Sequence, residues 1–412
     1  MSKVLTQSAE SSTLAAARWR QSSHRAADQI PALDWDRAPY NRWSFQHVRE
    51  LVPTVEVWRG MGPASVLSEN RQDIGRIGYT CHDGSKSTIG ALLEATSTDG
   101  FMVLKHNRIV AEIYLNGMTE RTLHLSQSVA KSVTASVAGS LIGRGLLDPA
   151  APVTQYLPEL ASTAYAGATV RHLLDMTSGV RFGEEYTDRF SDIGMTDVAS
   201  GWKPIPGKKP PGGDWPASLW AQILTLKTKE AEHGSRFRYR SIETDVLAFC
   251  MERASGKRLA PLVSEHLWQP MGADESACFT VDRSGYALAD GGFNATLRDY
   301  ARVGLVHLNM GSFNGRSILP AEWITDIRRG AHGLMNTDGQ ELFPNGVYRN
   351  QFWIEDKSKE TVMARGVFGQ LIYIAPEHDM VVVKLSSYPD FTNLAFSRDT
   401  LAGIHAIAAE LT

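Results

Sequence analysis

Ser128 and Lys131 stand three residues apart in LSQSVAKSVTASVAGSLIGRGLLD, residues 125–148. On a helix that spacing puts both on one face, so the hydroxyl and the amine can meet. A lysine walled by apolar groups loses solvation in its charged form, which lowers its pKa. A readily deprotonated amine beside a hydroxyl is a way to turn serine into a nucleophile. A place in the first turn adds the positive helix end, which favours developing negative charge. The SxxK pattern occurs twice in the chain. The second instance, Ser200–Lys203 in SGWK, runs into KPIPGKKPPGG, where no helix holds the spacing, and reads as coil. Spacing alone leaves Ser128–Lys131 balanced between a catalytic pair and a lysine that reaches out to solvent.

The elements that must position this pair follow from periodicity. Val129, Val133, Val137 and Leu141 recur every fourth residue, Ser128, Ser132, Ser136 and Ser140 form a parallel row, and alanines fill a third. A helix apolar or small all round belongs inside the protein, and Gly143 and Gly145 terminate it. Upstream, GFMVLKHNRIVAEIYLNG (100–117) alternates around a His-Asn-Arg turn and reads as an antiparallel hairpin. GVFGQLIYIAPEHDMVVVKLSSYP (366–389) reads as a second, turning at Pro376–Asp379, and FSRDTLAGIHAIAAEL carries a helix period. Between them lie short helical pieces such as VRHLLDM and SIETDVLAFCMERASGK. The expected architecture is α+β. The two hairpins join in one antiparallel sheet flanked by helices, with residues 1–145 and 290–412 forming this unit and 146–289 a mainly helical subdomain.

Composition narrows the function classes. The chain has 412 residues, 43% hydrophobic and 21% charged, with a net charge of −3, which offers no electrostatic attraction to nucleic acid or an acidic membrane. Cys81, Cys250 and Cys278 form no CxxC pair, so neither a zinc knuckle nor a disulfide framework is suggested. There is no HExxH, GxSxG, GxGxxG or P-loop pattern, and no metal or cofactor is expected. Residues 1–25 lack a signal-peptide core and no later segment approaches 18 uninterrupted apolar residues, so the expectation is a soluble cytoplasmic protein.

Six blocks in order carry a family resemblance: the first hairpin, SxxK opening a buried helix, TVRHLLDMTSGV (169–180), FRYRS (237–241), GGFNATLRDYARVG (291–304) and GVFGQ on a C-terminal strand. Over roughly residues 90–410 the chain resembles the serine β-lactamase and penicillin-binding protein superfamily, in its class C-like branch. It is most similar there to the 6-aminohexanoate-dimer (nylon oligomer) hydrolases and related esterases. The resemblance implies a β-lactamase/transpeptidase-like fold and a serine hydrolase of small linear amides or esters working through an acyl-enzyme. Carboxylesterase, β-lactamase or DD-peptidase-like activity, or a catalytically silent binding module of the same fold, are its alternatives. Its partner is a small amide or ester, with no nucleic acid or membrane, and a homodimer stays open.

Residue by residue, the resemblance makes Ser128 the acylated serine and Lys131 the lysine of the first motif. Tyr239 matches the tyrosine of Tyr-x-Asn, with Ser241 where Asn is usual. Nearby cations would favour its tyrosinate, although Arg238 and Arg240 alternate away from it. Without the family pattern Tyr239 reads as a core tyrosine. The implied oxyanion hole is the backbone N–H of Ser128 and of Gln370, after Gly369. The third motif departs: Val367-Phe368-Gly369 stands where Lys or His usually leads, and Arg365 lies two residues earlier on the same strand face. That favours a neutral or amine-ended substrate over a β-lactam. The resemblance also puts Tyr186 over the substrate amide, Asp197 opposite a substrate amine and Asn294 in the pocket. The rival reading of these three is loop residues satisfied by solvent. His124, four residues before Ser128, is a weak candidate base.

Overall fold

The computed structural model describes residues 26–210, 213–334 and 338–411. The N-terminal stretch 1–25, read above for a signal peptide, lies outside them. Along the chain the elements used below are β1 (Thr54–Val57), β2 (Thr98–Lys105), β3 (Arg108–Tyr114), β4 (His124–Leu125), α1 (Val129–Gly143), α2 (Asp192–Ala199) and α3 (Ile242–Ser255). They continue with β5 (Ala277–Thr280), β6 (Phe293–Ala295), α4 (Leu297–Leu308), β7 (Val347–Arg349), β8 (Phe352–Ile354), β9 (Val362–Gly366), β10 (Gln370–Ala375), β11 (Met380–Ser386) and α5 (Leu394–Glu410).

The main sheet runs His332–Gly333, β7, β8, β9, β10, β11, β2, β3, Ser68–Glu69. The hairpins β2–β3 and β10–β11 are joined by antiparallel pairing of β11 with β2, Val382 opposite Val103. The edge is parallel: Ser68–Glu69 runs alongside the start of β3. The β2–β3 turn needs two residues at positive φ, and His106 and Asn107 take +50° and +58°, the arrangement that matches strand twist. α4 packs on β10 and β11, with its first turn capped by the Thr296 side chain accepting from Asp299 N–H.

A second sheet of four short strands, β1-β5-β6-β4, was not foreseen. Its strands come from residues 54–57, 124–125, 277–280 and 293–295, so it crosses all three expected units. Between residues 146 and 276 the described elements are helices and turns, apart from isolated bridges.

α1 is buried from Val129 to Leu141. Its serine row is bonded rather than idle: Ser132 donates to Gln351 O at 2.7 Å, Ser136 to Ser132 O at 2.7 Å, and Ser140 meets His266 Nδ1 at 3.1 Å. Gly139 and Gly143 let two neighbours approach. A Cβ at Gly139 would stand 2.5 Å from the Trp323 ring, and one at Gly143 2.3 Å from Pro320.

Candidate active site

Ser128 is the N-cap of α1, a position where serine usually accepts from the first turn's N–H groups. Here no such cap bond forms; the hydroxyl instead accepts from Lys131 Nζ at 2.9 Å. The same ammonium donates to Asp290 O at 2.7 Å and lies 3.9 Å from Asp290 Oδ2. Gln127, at φ +51°, makes the turn into the helix. Tyr239 stacks on Trp353 at 5.6 Å between ring centres. It presents its ring 5.2 Å from Lys131 Nζ, with its hydroxyl in hydrogen-bonding reach of Ser128 and Lys131.

The charge states differ from those expected. Burial alone would depress Lys131, but Tyr239, Asp290 and Glu184 outweigh it and hold the amine above its ordinary value. Burial raises Tyr239, and Lys131 only partly opposes this. The directions favour ammonium and neutral phenol over amine and tyrosinate at rest, and since the neutral phenol carries no charge, the anions that hold the ammonium there are Asp290 and Glu184. Local charge counts reverse what apolar burial by itself predicts. Arg238 and Arg240 turn to Glu230.

Two cavities meet at Ser128. The larger, about 490 Å³, has Glu184, Tyr186, Tyr239, Trp353, Val367 and Gly369 on its walls, together with the cations Arg238 and Arg365. The smaller, about 50 Å³, includes Gln127, Tyr186, Asp197, Trp202, Ser241, Asp290, Val367 and Phe368. Arg365 sits 4.9 Å over the Phe343 ring and 5.4 Å over Trp353. Tyr186 belongs to both cavities and donates its hydroxyl to Glu184 Oε2 at 2.7 Å. Ser241 donates to the same carboxylate through its backbone N–H and its hydroxyl. Burial pushes Glu184 up to about 7 against the pull of Lys131. Asp197 is also pushed up to about 7, by burial and then by Asp36.

Several candidates stand elsewhere. Asn294 is buried on β6, donating to Gly292 O at 2.9 Å, and belongs to the second sheet rather than to either cavity. His124 is held between Asp99 Oδ2 at 3.0 Å and Leu125 O at 2.9 Å, turned from Ser128. Lys203 is not in solvated coil: it is buried against Asp36 and Leu33 O, while Ser200 closes α2. Near the oxyanion hole, the backbone against Ser128 is that of Gly366, where a Cβ would lie 3.0 Å from Ser128 N and 2.6 Å from Ser126 O. Gln370 opens β10 across from Gly366, its side chain donating to Ser386 O at 2.5 Å. Phe368 is buried at φ +61° against Phe45 and Phe391. Gly369, at φ +86°, gives way to the Tyr388 ring, which a Cβ would meet at 2.3 Å.

Sequence reasoning missed Glu184, Asp290 and Asp245. The signal that exposed Lys131, a charge in an otherwise sealed helix, applies equally to Asp245 in SIETDVLAFCMER. Among the described residues no cluster of side chains could hold a metal ion.

The beta-lactamase family model matches residues 86–406. The chain belongs to the beta-lactamase family. It is 37% identical over 372 residues to a 6-aminohexanoate-dimer hydrolase of Paenarthrobacter ureafaciens, covering 89% of this chain and 90% of the relative. Esterase EstB of Burkholderia gladioli is 30% identical over 177 residues, 42% of each chain. The structure of a provisionally assigned 6-aminohexanoate-dimer hydrolase from Bacillus anthracis superposes with a TM-score of 0.84 at 29% identity, covering 94% of this chain and 99% of that one. This member of the family is a serine hydrolase of the amidase and esterase kind.

Proposed function

We propose that the enzyme cleaves small linear amides whose acyl or leaving group ends in an amine, through an acyl-enzyme on Ser128. The observation that carries this is the Ser128–Lys131 contact of 2.9 Å at the meeting point of two cavities of opposite character. The scissile carbonyl sits over Ser128 Oγ, with one arm of the substrate in each cavity. Asp197 and Asp290 receive an ammonium in the small chamber, a pairing strengthened by burial. Trp353 and Tyr186 flank the alkyl chain in the larger cavity.

In acylation the Lys131–Tyr239 pair first releases one proton to solvent; Ser128 Oγ then attacks the carbonyl carbon, and its proton passes to the vacated site on that pair. The pair then delivers a proton to the leaving nitrogen as the C–N bond breaks. Water repeats the sequence on the ester and restores Ser128. Ser128 N–H and Gln370 N–H are the oxyanion donors in this reading, both residues standing on the wall of the larger cavity. Among the described residues no helix is long and apolar enough to cross a membrane. The unbridged Cys81, Cys250 and Cys278 fit a reducing cytoplasm.

A fluorophosphonate probe followed by peptide mapping tests the nucleophile: one adduct on Ser128 is expected, and none in Ser128→Ala. Lys131→Ala and Tyr239→Phe should each lower turnover of an aminohexanoate dimer by about 10²–10⁴-fold with the fold intact. Full activity in Tyr239→Phe would remove that residue from the mechanism. Short-chain carboxylesters are the second reading, favoured by the similarity to Esterase EstB. An ester kcat/KM exceeding that of every amine-ended amide would select it.

A further inference from the structure

Lys131 cannot take the Ser128 proton until it has lost one of its own, so whatever holds its charge controls the reaction. Asp290 supplies two contacts, its carbonyl at 2.7 Å and its carboxylate at 3.9 Å from Nζ. Behind Asp290 stands a second carboxyl. Asp245, on α3 and 1% exposed, accepts from Ala289 N–H at 2.9 Å through Oδ1. Its Oδ2 is buried with no hydrogen-bond partner among the described residues. An ionised carboxylate with an orphaned oxygen in this setting is costly. The cation that acts on both carboxyls is Lys131, and one cation does not sustain two buried carboxylates side by side.

We propose that Asp245 and Asp290 share one proton, carried by Asp245, so that a single negative charge on Asp290 holds Lys131 as an ammonium in the free enzyme. The proton removes the cost of leaving an ionised Oδ2 buried without a partner. The electrostatics agree: burial and then Asp290 push Asp245 well above the carboxylate range, burial raises Asp290 to a lesser degree, and Lys131 opposes the rise at both. The other groups facing this centre are Tyr239 and Glu184 towards Lys131, Glu184 and Asp197 towards Asp290, and Tyr165 towards Asp245. Lys203 and Arg37 act on Asp197 from beyond the chamber. Asp245 and Asp290 act through Lys131 and are positioning residues. The inference rests on the Ser128–Lys131 reading above.

The test is the pH dependence of Ser128 labelling by a fluorophosphonate, whose ascending limb reports loss of the Lys131 proton. In Asp290→Asn the midpoint should fall by about one pH unit or more, so labelling below the wild-type midpoint speeds up about tenfold. Asp245→Asn, which puts an amide where the protonated acid stood, should leave the midpoint in place. A midpoint unmoved in Asp290→Asn, or moved in Asp245→Asn instead, overturns the proposal. Infrared difference spectra of wild type against Asp245→Asn supply a readout independent of activity. Loss of a protonated-carboxyl C=O band at neutral pH is expected, and loss of a carboxylate band overturns the assignment. Wild-type protein that takes no label at Ser128 refutes the proposed function, while the infrared result still decides this one.

Discussion

Lys131 and Lys384 are both sealed from solvent, and their neighbours send them in opposite directions. Lys131 has Tyr239, Asp290 and Glu184 around it and stays above its ordinary value. Lys384 Nζ contacts the hydroxyls of Ser386 and Tyr388 and the carbonyl of Thr96. Burial depresses it to about 7, with Asp99 too weak to compensate. Between about pH 7 and the unfolded value of 10.5 the unfolded chain binds more protons than the folded one, so folding gains stability as pH rises through that window. Lys384→Met removes this dependence. Its melting temperature at pH 7 should exceed that of wild type. The difference in unfolding free energy should narrow by roughly 4 kcal/mol between pH 6 and pH 10, as read from denaturation at each pH. A gap that is constant with pH would mean that Lys384 stays charged in the fold.

At the scale of elements, α1 is held by close approach rather than by helix propensity. Alanine is a better helix former than glycine by about 1 kcal/mol, yet a Cβ at Gly139 would strike the Trp323 ring at 2.5 Å. Gly139→Ala should therefore destabilise the protein, by about 1–3 kcal/mol net of propensity. A lowered midpoint in urea unfolding would show it, and a raised midpoint would mean that the helix Ala321–Arg329 yields easily. The same crowding operates at the front of α1, where Gly366 on β9 admits the backbone of Ser126 and Ser128. Strand β9 and the start of α1 are thereby held in close register.

Across the whole molecule, Asp99 is a junction. Fully buried on β2, it takes Arg42 at 2.9 Å from the N-terminal segment, His124 at 3.0 Å from β4, Asn116 at 2.7 Å from after β3 and Ser387 at 2.7 Å from after β11. Burial raises its pKa, but His124 and Arg42 win and hold it below the carboxylate range. Its contribution to stability is present above the unfolded value and is lost as pH falls through the folded one. Asp99→Asn keeps the shape and leaves Arg42 without its anion, at a cost of about 3–5 kcal/mol. Chemical denaturation should show that loss at neutral pH and a smaller one in acid. An equal loss at both would assign the effect to packing alone.

Local order along the chain was enough to read the Ser128–Lys131 helix, both hairpins, the C-terminal helix and, through ordered motifs, the family. Val-every-fourth spacing, alternation around turns and SxxK are all encoded within a few residues. What tertiary structure decided is how charges distribute. Tyr239 and Lys131 were legible as residues but not as neutral phenol and ammonium, because that depends on Glu184 and Asp290. Those acids arrive from distant segments. Asn294 looked equally suited to a pocket until β6 paired with β4 and β5. Lys203 looked like coil until Asp36, 167 residues away, closed on it. Periodicity is a property of neighbours in sequence, whereas desolvation and Coulomb energy depend on distance in space. The sequence alone therefore determined the main sheet, the helix that opens at Ser128 and the family, and the fold alone determined the second sheet and the charges that surround Ser128 and Lys131.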